Sequence, residues 1–420
     1  MQSNEAPSGT PTYSPPHTGK GHLTFIIFSS FPSYSGGREN WLFNILQRLD
    51  RQGYETTVYA CQSPEPPFHD LSSLERLRLV QVPALRAGWF RIANRLTLNL
   101  LFWLDAYLFV RRTRERLLAE WRGGTIVAMN PIVDVYPALH LKRSRPDARV
   151  ACSVRGRAAW ELSLRSPWAR PLLRRLERRT LEQCGAVLSN GFDTQAYLEG
   201  FGIPSVVVPN GVDFARFAGA VGDVPETEHL RQMRAAGTGI IMMVATLRAV
   251  KGTYALLEAA RRLKEAGRQF AIVFVGKGEQ QRFRRKAGAL GVDDSVWFAG
   301  EQRNVPAFLA LADVSVNLSG GGGMSMATLE SMAAGKAVVA WDTPVYTQLI
   351  EHGRSGLLVR EGDGEALSQQ LSRLLDDPDL RESLGRAAQA RARDYDWSAV
   401  TESLLGALQA VGTGAERDRR

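Results

Sequence analysis

SGGGGMSMATLESMAAGKAVVA, Ser319 to Ala340, is the stretch on which the reading of this chain turns. Four consecutive glycines, Gly320 to Gly323, give a backbone whose amides can approach a ligand with no side chain in the way. Ser325 has the chemistry of a helix N-cap, and the small and apolar residues after it predict a helix as far as Gly335, a C-terminal stop. A glycine loop opening a helix presents unpaired N–H groups and the positive end of the helix dipole, which suits an anion such as phosphate. Glu330 lies too far into the helix to cap it; a carboxylate there suits a neutral, hydroxyl-bearing part of a ligand, such as a ribose. Taken alone, the stretch reads equally well as a flexible surface loop ahead of an ordinary helix.

The flanks decide what the stretch belongs to. VSVNLS before the loop and AVVAW after the helix are strand-like, so the unit is strand, glycine loop, helix, strand. It closes a series that starts at IIMMVAT and runs through a helix at Tyr254–Ala266, FAIVFVG, a helix, VWFAG and a helix. The first half alternates in the same way. HLTFIIF (His22–Phe28) is followed by a loop with Gly36 and Gly37 at a helix entrance, a helix whose Trp41, Leu42, Ile45, Leu46 and Leu49 share a face, and then TTVYA, TIVAM, RVACSV, AVLS and SVVVPN. Polar, irregular Gly219–Gly239 reads as a linker. Two α/β halves joined once predict twin doubly wound, Rossmann-like domains with parallel sheets, facing a cleft.

Composition narrows the class. A chain of 420 residues with 44% apolar and 23% charged residues is an ordinary soluble globular protein of two domains. Three widely spaced cysteines form neither a disulfide framework nor a zinc pattern and fit a reducing cytoplasm. Six scattered histidines show neither HxxxH nor HExxH spacing, so no protein-held catalytic metal is expected. Residues 1–19, rich in Pro, Ser and Thr, lack an apolar run and read as a disordered tail without a secretory signal.

The net charge of +9 sits wholly in the first half, where residues 1–210 hold 26 Lys+Arg against 17 Asp+Glu. Such a half is drawn to an anionic partner (acidic lipid, a lipid-linked pyrophosphate or nucleic acid) or reflects an arginine-rich composition. Its most apolar segment, Thr97–Val110, is flanked by Arg86, Arg91 and Arg95 before and Arg111, Arg112, Arg114 and Arg116 after. It falls short of the roughly twenty residues needed to span a bilayer. It is either a helix lying on a membrane surface or, more plainly, a buried core helix.

Arg248–Gly252 (RAVKG) follows the strand IIMMVAT directly, which puts Arg248 and Lys251 where ligands bind in parallel sheets. There they would neutralise a pyrophosphate and assist its departure. With Gly276–Lys277–Gly278–Glu279 after FAIVFV and the glycine loop after VSVNLS, three successive strands end in phosphate- or nucleotide-friendly loops. No GK[ST] follows Gly276, which excludes a Walker loop. Asp377-Pro378-Asp379 matches a metal-binding DxD, but it lies between two helical stretches where capping and turn chemistry explain it.

From Gly21 to Trp397 the chain resembles the family 4 retaining glycosyltransferases of GT-B architecture. The likeness rests on an ordered set of motifs: SGGRENW, VPNGVD (Val208–Asp213), LRAVKG, VGKGE, VWFAGEQRNV, LADVSVNLS, TLESMAAGKAVVA and HGRSGLLV. It implies an acceptor-binding domain at 20–218, a linker at 219–238 and a nucleotide-sugar domain at 239–395. A helix at 396–410 would cross back to the first domain, ahead of a disordered tail at 411–420. By motif match Glu330 would hold ribose hydroxyls and Lys251 the diphosphate, while amides around Gly323, Met324 and Ser325 would hold phosphate or sugar. Gly36 and Gly37 would close over the same group, and the turn from Phe298 to Gln302 would hold the base. Gly276 would join the donor site.

Three departures stand out. Gly322 occupies the place of the first glutamate of the family's EX7E signature, which contacts donor-sugar hydroxyls. Thr246 stands where an arginine is usual, so Arg248 would supply the guanidinium. Arg155 replaces a histidine; it cannot act as a base near neutral pH and is read as facing the acceptor or the departing phosphate. The resemblance thus implies retaining, metal-independent transfer from a UDP- or GDP-linked sugar to a hydroxyl acceptor, lipid-linked or anionic, in bacterial surface polysaccharide or glycolipid assembly. No other cofactor and no nucleic-acid partner are expected, and the place of action is the cytoplasm or the inner membrane face. The alternatives are a nucleotide-sugar 2-epimerase and an inactive nucleotide-sugar- or glycan-binding protein.

Overall fold

The computed structural model describes residues 20–34, 36–85, 100–156, 158, 169–219, 221–222, 224–320 and 324–414. The apolar runs of the first half form seven parallel strands: β1 (His22–Ile27), β2 (Glu55–Cys61), β3 (Leu77–Val82), β4 (Thr125–Ala128), β5 (Arg149–Val154), β6 (Ala186–Ser189) and β7 (Val206–Val207). Their order is β3-β2-β1-β4-β5-β6-β7. The two-residue period of β1 serves both faces: Phe25 and Ile27 join one core cluster, Ile26 and Phe28 the other.

The second half forms six parallel strands, β8 (Gly239–Val244), β9 (Phe270–Val275), β10 (Val296–Gly300), β11 (Val314–Asn317), β12 (Ala337–Trp341) and β13 (Leu357–Val359), ordered β10-β9-β8-β11-β12-β13. The strand order reverses between β1 and β4 and between β8 and β11, so each sheet opens a crevice at its strands' carboxyl ends there. This is the GT-B architecture that the resemblance implies.

Several segments differ from their sequence reading. β3 lies at the sheet edge with alternating exposure and was not recognised as a strand. Within the segment read as a linker, Glu228–Ala235 is a helix whose Leu230 is fully buried in the second core. The apolar segment becomes the helix Leu100–Glu120, neither wholly buried nor wholly outside. Phe109, Thr113 and Leu117 face the core and buried Asp105 accepts a hydrogen bond from the Leu85 amide, while Leu100, Leu104 and Tyr107 are exposed. Arg86, Arg91, Arg95 and residues 97–99 of that reading lie outside the described residues, as do residues 1–19 and 415–420, whereas residues 411–414, expected to begin the disordered tail 411–420, continue the last helix to Gly414. Among the described residues no helix is long and apolar enough to cross a membrane.

The chain passes between the domains twice. Helix Trp397–Gly414 packs Trp397, Val400 and Leu404 into the first domain's core beside Phe25, Ile27 and Trp41. The two crossings bind each other: Val212 N donates to Tyr395 O at 2.9 Å, and Trp397 N donates to Val212 O at 3.2 Å. Gly211 is obligatory at this junction, because a Cβ there would stand 2.6 Å from the Trp397 ring.

Candidate active site

The two crevices face one another across a cavity of about 730 Å³ lined by both domains. On the second domain's side, the turn after β8 carries Arg248 and Lys251 into the cavity wall. It closes at Gly252, whose φ is +77°, and a Cβ there would lie 2.2 Å from Leu318 Cβ. Only glycine lets the lysine turn press against the exit of β11. Lys251 Nζ donates to Ser319 Oγ at 3.3 Å. Burial, and then the charge of neighbouring Arg248, lowers the Lys251 ammonium below its ordinary value. Neither cation has a carboxylate partner among the described residues.

After β9, Gly276 approaches Ala245 O so closely that a Cβ would stand 2.0 Å from it. The following Lys277 pairs with Glu301 at 3.4 Å. After β11, Ser319 N donates to the hydroxyl of buried Tyr346 at 3.1 Å, which anchors the start of the glycine loop. Ser325 Oγ accepts from Thr328 N at 3.4 Å and caps helix Met326–Ala333, with Met324 and Ser325 both in the cavity wall. Gly322 and Gly323 lie outside the described residues. Glu330 lines the cavity one turn into the helix. Its carboxyl is pushed up to about 7 by burial, against which the Arg216 charge acts in the opposite direction.

On the first domain's side, Gly36 leads helix Gly37–Arg51, and both glycines line the cavity. Arg155 follows β5 and lies over the Trp41 ring, 4.3 Å from its centroid. Its Nη2 donates to Asn210 Oδ1, and Asn210 Nδ2 in turn donates to Met324 O. Burial pulls the Arg155 guanidinium down to about 9, which leaves it protonated at neutral pH.

The sequence-derived set is therefore largely assembled in one place, with Phe298 the exception. Its ring stacks on Phe274 at 5.0 Å, its carbonyl accepts from Arg284 Nη2 at 3.3 Å, and it is no part of the cavity wall. Glu301 and Gln302 of the same turn reach the cavity instead. Sequence reasoning assigned no role to Asn210 or Tyr346 and placed Trp41 only on the apolar face of its helix. VPNGVD carried the only signal for Asn210, since the partners of all three are far off in the chain. Among the described residues no group of three or more His, Cys, Asp and Glu could hold a metal ion. Asp377 of the Asp-Pro-Asp motif caps helix Pro378–Ala392 by accepting from Leu380 N at 2.9 Å. Chemically, the wall offers cations and a capped helix end for an anion, and a carboxyl for hydroxyl groups.

Comparison with known proteins finds the Glycosyltransferase Family 4 model over residues 35–216 and the Glycosyl transferases group 1 model over residues 226–391. A phosphatidyl-myo-inositol mannosyltransferase of Mycobacterium leprae is 27% identical over 223 residues, 52% of this chain and 57% of that protein. The putative glycosyltransferase EpsD of Bacillus subtilis is 31% identical over 166 residues, 39% of this chain and 44% of that protein. The chain spans about half the length of the curated relatives it matches. In fold it is similar to Anabaena Alr3699/HepE in complex with UDP (TM-score 0.71, 18% identity, covering 92% of this chain and 99% of that one). WaaG, a glycosyltransferase involved in lipopolysaccharide biosynthesis, gives a TM-score of 0.68 at 18% identity, covering 93% of this chain and 100% of that one.

Proposed function

Because the chain belongs to the glycosyltransferases that the family 4 and group 1 models describe, we propose that it transfers a sugar from a UDP- or GDP-linked donor to a hydroxyl acceptor with retention of the anomeric configuration. The observation that carries this reading is the convergence of Lys251, Arg248, the Ser325-capped helix and Glu330 on one cavity between two domains. The cations and helix end would take the diphosphate, Glu330 the ribose, and Gly36 and Gly37 would close from the opposite wall. Of the cavity carboxylates among the described residues, Glu39 pairs with Arg38, Glu301 pairs with Lys277 and Glu330 is given to the ribose, so this reading assigns none of them the role of nucleophile. The bond from the anomeric carbon to the diphosphate would break with its electron pair going to the diphosphate. The acceptor oxygen would bond to the same face and its proton pass to a diphosphate oxygen. Catalysis is then positioning and charge stabilisation, by Lys251 above all.

The biological setting in this reading is bacterial surface polysaccharide or glycolipid assembly. The basic first half and the exposed Leu100, Leu104 and Tyr107 would rest on an anionic membrane that presents a lipid-linked acceptor. The test is turnover of a panel of nucleotide sugars by the wild type and by Lys251→Ala, with and without EDTA. Lys251→Ala should lose on the order of a hundredfold in kcat, and EDTA should change nothing. Wild-type kinetics in the variant would refute the assignment of the cleft, and loss of activity in EDTA restored by manganese would refute the metal-free chemistry.

A further inference from the structure

Three cations line the cleft without a carboxylate partner among the described residues: Arg248 and Lys251 on one wall, Arg155 on the other. Lys277 and Arg38, also in the wall, are matched by Glu301 and Glu39. A diphosphate accounts for Arg248 and Lys251 but leaves Arg155 uncompensated. Among the described residues the acceptors around Arg155 are all neutral: Ser153 Oγ and Val208 O, each 3.5 Å from Nη1, and Asn210 Oδ1 against Nη2.

The guanidinium is nevertheless firmly placed, with the Trp41 ring against its face and Asn210 gripping its end. Asn210 also holds Met324 O, so Arg155 is one residue away from the point where the glycine loop enters its helix. A half-buried, oriented guanidinium with no carboxylate against it among the described residues is a fork for an oxyanion, and a ligand that brings one offsets the cost of its burial.

We infer that Arg155 binds a second anionic group of the substrates, separate from the donor's diphosphate: a carboxylate or phosphate carried by the transferred sugar or by the acceptor. This rests on the reading of the cleft as a nucleotide-sugar site. Titration calorimetry on the full chain tests it, with wild type, Arg155→Lys and Arg155→Gln. The first arm compares UDP, UDP-glucose and UDP-glucuronate, with the GDP analogues beside them. If the sugar carries the anion, wild type should bind the glucuronate about tenfold or more tighter than the glucose compound. Arg155→Gln should bring that ratio close to one.

The second arm titrates glucose and glucose 6-phosphate into protein saturated with the nucleoside diphosphate. If the acceptor carries the anion, the same preference and the same loss should appear there. The lysine variant should keep part of the preference in whichever arm shows it. Nucleoside diphosphate binding with no anion preference in either arm of the wild type overturns the inference alone; so does a preference that survives in Arg155→Gln. Failure of both UDP and GDP to bind overturns the reading of the cleft and the inference with it. Should Arg155→Gln not fold, an undiminished preference in Arg155→Lys counts against the forked contact.

Discussion

Glu330 and Lys251 sit on the same cavity with opposite tasks, and burial displaces both toward their neutral forms. For Glu330 the folded-state pKa of about 7 lies above the ordinary 4.5. Between those values the folded protein holds a proton that the unfolded chain releases, so this contribution to stability falls as pH rises through the window and stays lost above it. Glu330→Gln mimics the protonated carboxyl and should raise Tm at pH 8 but not near pH 4.5, where the native residue is itself protonated. The gain is on the order of 1–2 kcal/mol, because the carboxyl is partly open to the cleft. An equal Tm difference at both pH values would contradict the burial argument. The kinetic consequences should also separate. Lys251→Ala acts mainly on kcat, whereas Glu330→Ala should raise the donor Kd about tenfold by removing the ribose contact. These two residues were legible because Lys251 follows a strand end beside Gly252 and Glu330 lies in the helix that the glycine loop opens, both at positions the resemblance marks. Asn210 and Trp41 were not, since their roles come from contacts with Met324 and Arg155, 114 residues on in each case.

Among the elements, those with a continuous apolar run or a clear cap were readable to within a residue or two. β5 and β6 match RVACSV and AVLS, and Ser325 caps the helix it was assigned to. β3 escaped because LRLVQV lies at an edge where Arg78 and Gln81 face water, so it lacks the apolar run of the inner strands. The glycine turns give a sharp test. Gly252→Ala places a Cβ against Leu318 in a backbone conformation with φ +77°, so it should destabilise by about 2 kcal/mol or more. It should also displace Lys251, and thermal melting together with donor binding would show both effects; an unchanged melt would refute the close approach. Helix Leu100–Glu120 provides the second test. Its outward Leu104 and Tyr107 are 46% and 60% exposed, an arrangement that suits the interfacial zone of a bilayer. Co-sedimentation with vesicles should require anionic lipid, weaken at high salt and fall sharply in Leu104→Glu/Tyr107→Glu. If the protein stays in the supernatant with anionic vesicles at low salt, the membrane-surface reading fails and the basic first half reflects an arginine-rich composition.

For the molecule as a whole, the two-domain plan was visible in the alternation of strands and helices, because parallel sheets need helical crossovers and the alternation repeats on either side of Gly219–Gly239. The final helix's destination was carried only by the resemblance. Nothing local in WSAVTESLLGALQA names the strands it covers, and its partners Phe25, Ile27 and Trp41 lie more than 350 residues earlier. That return has a consequence for biosynthesis. The strands of the first domain leave the ribosome by Val207, yet one face of their sheet lacks Trp397, Val400 and Leu404 until the whole second domain has been made. At roughly 5–20 residues per second the wait is on the order of 10–40 s. Nascent chains ending at Asp396 and held on an unstructured spacer long enough to clear the ribosome should therefore show a protease-resistant second domain and a first domain that is still cleaved. Release of the last helix, or its supply as a separate peptide, should protect the first domain. Synthesis runs from the amino end, but the first domain to begin would be the last to be finished.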